Sequence, residues 1–252
     1  MSLSPSTTEA LAAIGALGVL VGRSRYCDYP PEVTKLPIVG GYTDPSYEAI
    51  LALAPDLVTG ARGPAGSGLV DRLKDRGVAT YFPVTETFAG IDEMLRGLGA
   101  RTAHDREAED VVHRLDEEED AVTRAVAPLP KVRVLVVFGL QPIVAAGPGG
   151  FADEMVKRAG GDNVVTQGGA YPTLGMERVL ALDPDVILDA AWGEDEGKTR
   201  ISRDSPGWKE LRAVKAGRVV TLRDEVVLRP GPRIAEGLRR MAKAIHPDVA
   251  LP

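Results

Sequence analysis

Apolar residues along this chain gather in short, nearly continuous runs set apart by stretches with helical spacing. The runs fall at 57–59, 79–82, 132–138, 186–188 and 219–222, and strands of this kind belong to sheets covered on both faces. Between them, at 68–76, 91–97, 152–159 and 234–245, apolar positions return every three or four residues, which predicts helices with one buried stripe. Strand alternating with helix predicts parallel sheets with right-handed crossovers, an α/β fold.

One helical pattern is longer than the rest. From 103 to 126, Val111, Val112, Leu115, Val122 and Val126 line one face of an otherwise charged rod, and Pro128 and Pro130 stop it. At about 1.5 Å per residue the rod is roughly 36 Å long, enough to join two lobes. The run Asp116-Glu117-Glu118-Glu119-Asp120 reads as its solvated face. The rod divides the chain into an N-terminal α/β lobe at 1–102, an inter-lobe helix at 103–127 and a C-terminal α/β lobe at 128–252.

The two lobes share one phrase. Tyr47-Glu48-Ala49-Ile50-Leu51-Ala52-Leu53-Ala54-Pro55-Asp56-Leu57-Val58 returns as Met176-Glu177-Arg178-Val179-Leu180-Ala181-Leu182-Asp183-Pro184-Asp185-Val186-Ile187. Tyr42 and Tyr171 stand at the same offset before each copy. The copies are too far apart for a solenoid, whose period is roughly 20–50 residues. Each predicts a short helix, a Pro-Asp stop and a strand, because proline disfavours helix at the residue before it.

Composition narrows the function. Hydrophobic residues make up 44 % and charged residues 26 % of 252, ordinary for a globular protein, and no run approaches the roughly 18 apolar residues of a membrane span. A net charge of −6 argues against a nucleic-acid partner, which needs clustered Lys and Arg to meet phosphates. Three histidines, His104, His113 and His246, show no metal-ligand spacing. There is no Gly-x-Ser-x-Gly elbow, and Cys27, the single cysteine, has no histidine nearby in sequence; an inert packed thiol is the simpler reading. Met1-Ser2-Leu3-Ser4 looks like the second half of a strand, which leads us to expect a longer precursor.

Local signals mark element ends. Ser6-Thr7-Thr8-Glu9 fits a capping box with Ser6 as the cap. Asp44-Pro45 fits an N-cap before proline at the first helical position, placing Glu48 in the first turn. A helix dipole alone accounts for such a carboxylate, while Glu48 and Glu177 on two lobes also suit a grip on one two-lobed partner. Gly147-Pro148-Gly149-Gly150 lacks the ending of a phosphate loop and reads as a turn into a helix near Phe151, and Gly160-Gly161 as a helix stop. Aromatic residues are only 5 % of the chain, so Tyr26, Tyr29, Tyr42, Tyr171 and Trp192 at element junctions are candidates either to line a cleft or to plug loop packing. Arg25, Arg62 and Arg229 are candidate anion contacts or plain surface residues.

Ser2-Leu3-Ser4-Pro5-Ser6-Thr7-Thr8-Glu9, Cys27-Asp28-Tyr29-Pro30-Pro31-Glu32, the two Glu-x-x-Leu-Ala-Leu-x-Pro-Asp repeats and Gly160-Gly161-x-Asn163 together resemble the substrate-binding proteins of ABC importers for cobalamin and ferric siderophores, and within them the cobalamin receptors. The resemblance covers essentially the whole chain. It implies a class III periplasmic binding protein: two parallel-sheet lobes joined by one long rigid helix, with a ligand in the cleft. It further implies an extracytoplasmic, monomeric, non-enzymatic receptor with no intrinsic cofactor. Its ligand would be a corrinoid such as cobalamin, and its partners the importer's membrane subunits. On this likeness Tyr26, Tyr42, Tyr171, Trp192, Glu225 and Arg229 are ligand contacts, and Glu48 and Glu177 dock onto the importer's arginines. Where cobalamin receptors carry further aromatic residues this chain has Ala61 and, near Val144, none. A haem or ferric-siderophore receptor, using Arg25, Arg62 and Arg229, and a cytoplasmic tetrapyrrole-modifying enzyme stand as alternatives.

Overall fold

A computed structural model of the chain describes residues 1–41, 43–62, 66–191, 201–222 and 225–252, and the side chains of residues 66, 67 and 225 lie outside that description. Contacts divide the chain into two compact units, unit 1 of residues 1–116 with 230–232 and unit 2 of residues 117–229 with 233–252.

Unit 1 contains α1 (Pro5–Ala13), α2 (Tyr47–Ala52), β1 (Leu57–Thr59), α3 (Gly66–Lys74), β2 (Ala79–Tyr81), α4 (Phe88–Thr102) and the first half of α5 (Asp105–Val126). β1 pairs with β2 in parallel, Leu57 opposite Ala79 and Thr59 opposite Tyr81. Single parallel bridges extend this sheet: Thr59 to Ser2, Ser2 to Arg23, and Arg23 to Ile38. These outer segments are too short to announce themselves as strands by periodicity, and sequence reading missed the ones at Arg23 and Ile38. One face of the sheet buries Met1, Leu3, Val39, Ile50, Val58, Leu69 and Leu73 together. α1 packs against α4, whose Ile91, Met94, Leu95 and Leu98 are buried along one stripe.

Unit 2 holds the rest of α5, then β3 (Val132–Leu140), β4 (Ile143–Ala145), α6 (Phe151–Arg158), β5 (Gly161–Asn163), β6 (Thr173–Leu174), α7 (Met176–Leu182), β7 (Val186–Asp189), α8 (Arg212–Lys215), β8 (Val219–Thr221) and α9 (Ile234–Ile245). Its sheet runs β6-β4-β3-β7-β8, with β5 also on β3. β3, β5, β7 and β8 pair in parallel, as the strand-helix alternation predicts. The antiparallel β3–β4 and β4–β6 pairings were not foreseen, because three- and two-residue strands carry almost no periodic signal. Leu135, Val137, Val179, Ile187, Trp208 and Leu211 centre the core on one side of the sheet. α6 and α9 are in contact, and both bury methionines, Met155 and Met241.

Several local expectations are corrected. Ser4, not Ser6, caps α1: Pro5 takes the first helical position, and the Thr7 amide donates to Ser4 Oγ at 3.5 Å. Proline's fixed φ suits that first position, so the cap lies two residues before the one the capping-box motif places at Ser6. Ser46, not Asp44, caps α2, with the Ala49 amide donating to its Oγ at 3.2 Å, because Asp44 is engaged by Arg25. The long helix opens at Asp105 rather than at 103: α4 runs on to Thr102, and Ala103, at φ 57°, closes it in the left-handed region. The acidic run is not simply a solvated face. Glu118 pairs with Arg239 at 3.0 Å, and Glu119 is buried with Arg158 at 3.5 Å.

Candidate functional site

In each unit the loops beyond the carboxyl ends of the parallel strands are the place where open α/β sheets bind ligands. In unit 1 the loop after Ser24 carries Arg25 and Tyr26, and it is pinned from below. Arg23 is buried, and its guanidinium donates to the carbonyls of Ser24 at 3.1 Å, Cys27 at 3.0 Å and Thr34 at 3.0 Å. The Cys27 thiol is buried against Ser24 Oγ at 3.2 Å, a packing role rather than an exposed nucleophile. Held this way, Tyr26 leaves 53 % of its surface to solvent and Tyr29 46 %.

Arg25 grips Asp44 with both arms of its fork, Nη1 donating to Oδ1 at 3.1 Å and Nη2 to Oδ2 at 2.8 Å. Its main-chain amide donates to the Gly40 carbonyl at 2.9 Å, so the loop bearing Tyr26 is tied to Gly40. The Asp44 hydrogen bonds raise the Arg25 pKa, helped by Tyr26, and the same fork holds Asp44 below the usual carboxylate range. Gly41 lets the pair sit this close: a Cβ would lie 2.5 Å from Asp44 Oδ1, 2.8 Å from Arg25 Nη1 and 3.1 Å from the Tyr26 ring, so these side chains would have to move aside. Sequence reading named Arg25 but assigned Asp44 to a helix cap, since nothing in residue order says that positions 25 and 44 meet. Next in the rim, Ala61 donates its amide to Ser4 Oγ at 2.9 Å and Arg62 Nε donates to the Phe82 carbonyl at 3.1 Å. Tyr42 lies outside the described residues.

In unit 2 the rim is built around Tyr171. Its ring meets Phe138 edge-on with centroids 5.5 Å apart, and 55 % of the residue is exposed. Such an edge arrangement suits the quadrupoles of two rings. The segment before it is held by backbone bonds, Gly147 donating to Ala170 at 2.9 Å and Ala145 to Pro172 at 3.1 Å. Gly147 admits this approach only because it lacks a side chain, as a Cβ would fall 2.1 Å from the Gly169 carbonyl. The turn beyond, read correctly as a lead into α6, rests on a buried network. Asn163 Nδ2 donates to the Ala146 carbonyl at 3.2 Å and to Asp153 Oδ1 at 2.9 Å, while the Gly149 amide and Lys157 reach Asp153 Oδ2 at 3.1 and 2.6 Å. Burial alone pushes Asp153 upward, but Lys157, Asn163 and Gly149 outweigh it and leave its pKa lowered. The Asn163 of the Gly-Gly-x-Asn motif is thus a support for the rim. Phe138 was missed because it sits in an unbroken apolar run. Arg229 is half-buried in this unit, Glu225 opens a short turn with its side chain undescribed, and Trp192 lies outside the described residues.

Glu48 and Glu177 each sit in the first turn of a short helix, α2 and α7. Glu48 is 84 % exposed in its side chain, with Arg72 Nη2 at 3.9 Å. Arg72 lies over the Tyr47 ring at 3.7 Å, and the Tyr47 hydroxyl donates to the Arg72 carbonyl at 3.2 Å. Glu177 is exposed and has no ion pair among the described residues. No cluster of three metal-ligating side chains occurs among the described residues, and none of their helices is long and apolar enough to cross a membrane.

Comparison with known proteins sets this geometry in context. Residues 1–226 match the family described as periplasmic binding protein. The vitamin B12-binding protein of Salmonella typhimurium is 30% identical over 247 residues, 97% of this chain and 89% of the relative. Among solved structures, the periplasmic vitamin B12 binding protein of Vibrio cholerae superposes with a TM-score of 0.82 at 26% identity, covering 97% of this chain and 94% of that one. A periplasmic heme binding protein from Pseudomonas aeruginosa gives 0.84 at 27% identity, with 100% and 93% covered. These relatives are binding proteins, not enzymes.

Proposed function

The chain belongs to the periplasmic binding protein family, and from that premise we propose that it captures a corrinoid, cobalamin foremost, outside the cytoplasm and delivers it to the membrane subunits of an ABC importer. The observation that carries this reading is the near-full-length similarity to vitamin B12-binding proteins in both sequence and structure. The exposed rings of Tyr26 and Tyr171 support it, since an amphipathic ring left in water at a strand end offers stacking area to a large flat ligand. In the same reading Tyr42, Trp192, Glu225 and Arg229 complete the ligand contacts, cobalamin is cargo rather than cofactor, and Glu48 and Glu177 meet the importer.

Calorimetric titration with cyanocobalamin, followed through the ligand's visible spectrum, tests it. We expect a dissociation constant at or below about 1 μM, near −8 kcal/mol, and a loss of about tenfold or more for Tyr171→Ala, as befits removal of an aromatic anchor. No heat and no spectral change would remove cobalamin. The second reading, haem or a ferric siderophore as cargo, is favoured by the likeness to the heme-binding structure. Against it, the Arg25 fork that would meet a ligand carboxylate already holds Asp44.

A further inference from the structure

We propose that Asp44 is a specificity determinant of the ligand rim: by occupying the Arg25 fork it makes this edge of the site electrically neutral, so that the site favours a tetrapyrrole whose periphery carries amides over one that carries carboxylates. The inference rests on the tetrapyrrole-binding reading above and adds to it a reason for selectivity.

A guanidinium recognises a carboxylate by presenting two parallel N–H donors, and in Arg25 that pair of donors is taken by the two Asp44 oxygens at 3.1 and 2.8 Å. The acceptor is held in place by more than the pair itself. The Gly41 amide approaches the Asp44 carbonyl at 3.4 Å, Gly40 bridges to Pro45, and the Ser46 amide returns to the Val39 carbonyl at 2.8 Å. Gly41 closes against both charged groups and the Tyr26 ring with no room for a Cβ. From below, Arg23 fixes the loop that carries Arg25. The pair therefore stands beside an exposed ring, 5.8 Å from Arg25 Cζ to the Tyr26 centroid, on a braced support. Both side chains are about half exposed, 44% and 58%, and exposed ion pairs add little to stability. A pair of small worth to folding, braced from three sides at a candidate ligand rim, is better explained by what it does to a ligand. An arriving carboxylate finds its natural partner taken and Asp44 close by, and like charge set against like is how specificity is built by repulsion. An amide meets no such penalty.

The test uses a matched pair of probes, cyanocobalamin and the monocarboxylate formed when one of its peripheral amides is hydrolysed, titrated into wild type, Asp44→Asn, Arg25→Gln and the double variant. Each is first checked by circular dichroism for retained fold. Wild type should prefer the parent compound, with little dependence on salt. Asp44→Asn frees the fork and should move the affinity ratio toward the monocarboxylate by roughly tenfold, the size of one charge-assisted hydrogen-bonded contact, with a new salt dependence. The double variant should lose that gain, and Arg25→Gln, which leaves Asp44 bare, should move the ratio the other way. A ratio unchanged by Asp44→Asn, or an equal shift in the double variant, would overturn the inference while leaving the corrinoid reading intact. If wild type binds neither probe, the corrinoid reading fails and the inference falls with it.

Discussion

In unit 1 the repeated helix α2 opens on Ser46, whose Oγ accepts from Ala49 at 3.2 Å, whereas its counterpart α7 in unit 2 opens on Gly175 with no side-chain cap. At the other end the copies agree in backbone and differ in chemistry. Ala54 and Asp183 hold the same place before Pro-Asp, both at positive φ, 43° and 36°. Ala54 contributes only its conformation, while Asp183 also accepts from Arg212, from the amide at 3.0 Å and from Nε at 2.9 Å. The strands that follow differ too. β1 is half-buried at Leu57, but β7 is buried at all four positions, between β3 and β8. The middle of the repeat must bury one apolar ridge, Ile50 or Val179, and then turn sharply into a strand, so it is kept. The ends meet different neighbours, so they diverge.

The largest way to sharpen this contrast is to cut into both strands. Ile187→Ala in the core of unit 2 should cost about 2–5 kcal/mol, against about 2 kcal/mol for Val58→Ala at the matching place in unit 1. Urea denaturation of both variants reads the difference, and an equal or larger loss for Val58→Ala would erase it. A smaller effect separates the helix ends by pH. The Arg212 amide, and then its guanidinium against some desolvation, lowers the Asp183 pKa. A depressed carboxylate stabilises the fold above its unfolded pKa of about 3.9, and the contribution is lost as pH falls through the folded value. The carboxylate is 41% exposed, so solvent screening limits Asp183→Asn to under about 1 kcal/mol at pH 7. Comparing melts of wild type and variant at pH 7 and pH 3 should show that gap narrow in acid; a constant gap would assign it to packing.

The smallest effect on stability falls on Glu48 and Glu177, the glutamates proposed to meet the importer. Glu48→Ala and Glu177→Ala should leave the melting midpoint and ligand affinity in place, while each reduces cargo delivery by a reconstituted importer. Because Arg72 stands 3.9 Å from Glu48, part of that charge is already offset, and Glu177→Ala should cost more delivery at low salt. Loss of ligand affinity in either variant would mean that these residues belong to the ligand site instead.

Much of the fold was legible in residue order. α9 falls at Ile234–Ile245 and β1 at Leu57–Thr59, where periodicity and the Pro-Asp stop put them, because both depend on neighbours within a few residues. The twofold repeat was legible for the same reason, whereas residue order left Tyr26, Tyr29 and Tyr171 as either cleft lining or loop packing, and only the fold shows them exposed. Less local features were not. The start of α1 went to Ser4 once Pro5 could take the first helical position, and the buried Glu119 depends on Arg158, far along the chain.

The sequence by itself therefore determined the α/β alternation, the repeat with its two acidic first turns, and the family to which the chain belongs, since each is written in spacings of a few residues. Only the tertiary structure decided which segments pair in each sheet, that β4 and β6 run antiparallel, and that Arg25 is matched to Asp44 beside Gly41. The physical reason is that hydrogen bonds and ion pairs between distant positions leave no periodic trace. They exist only once the chain has folded and brought those groups within about 3 Å of each other.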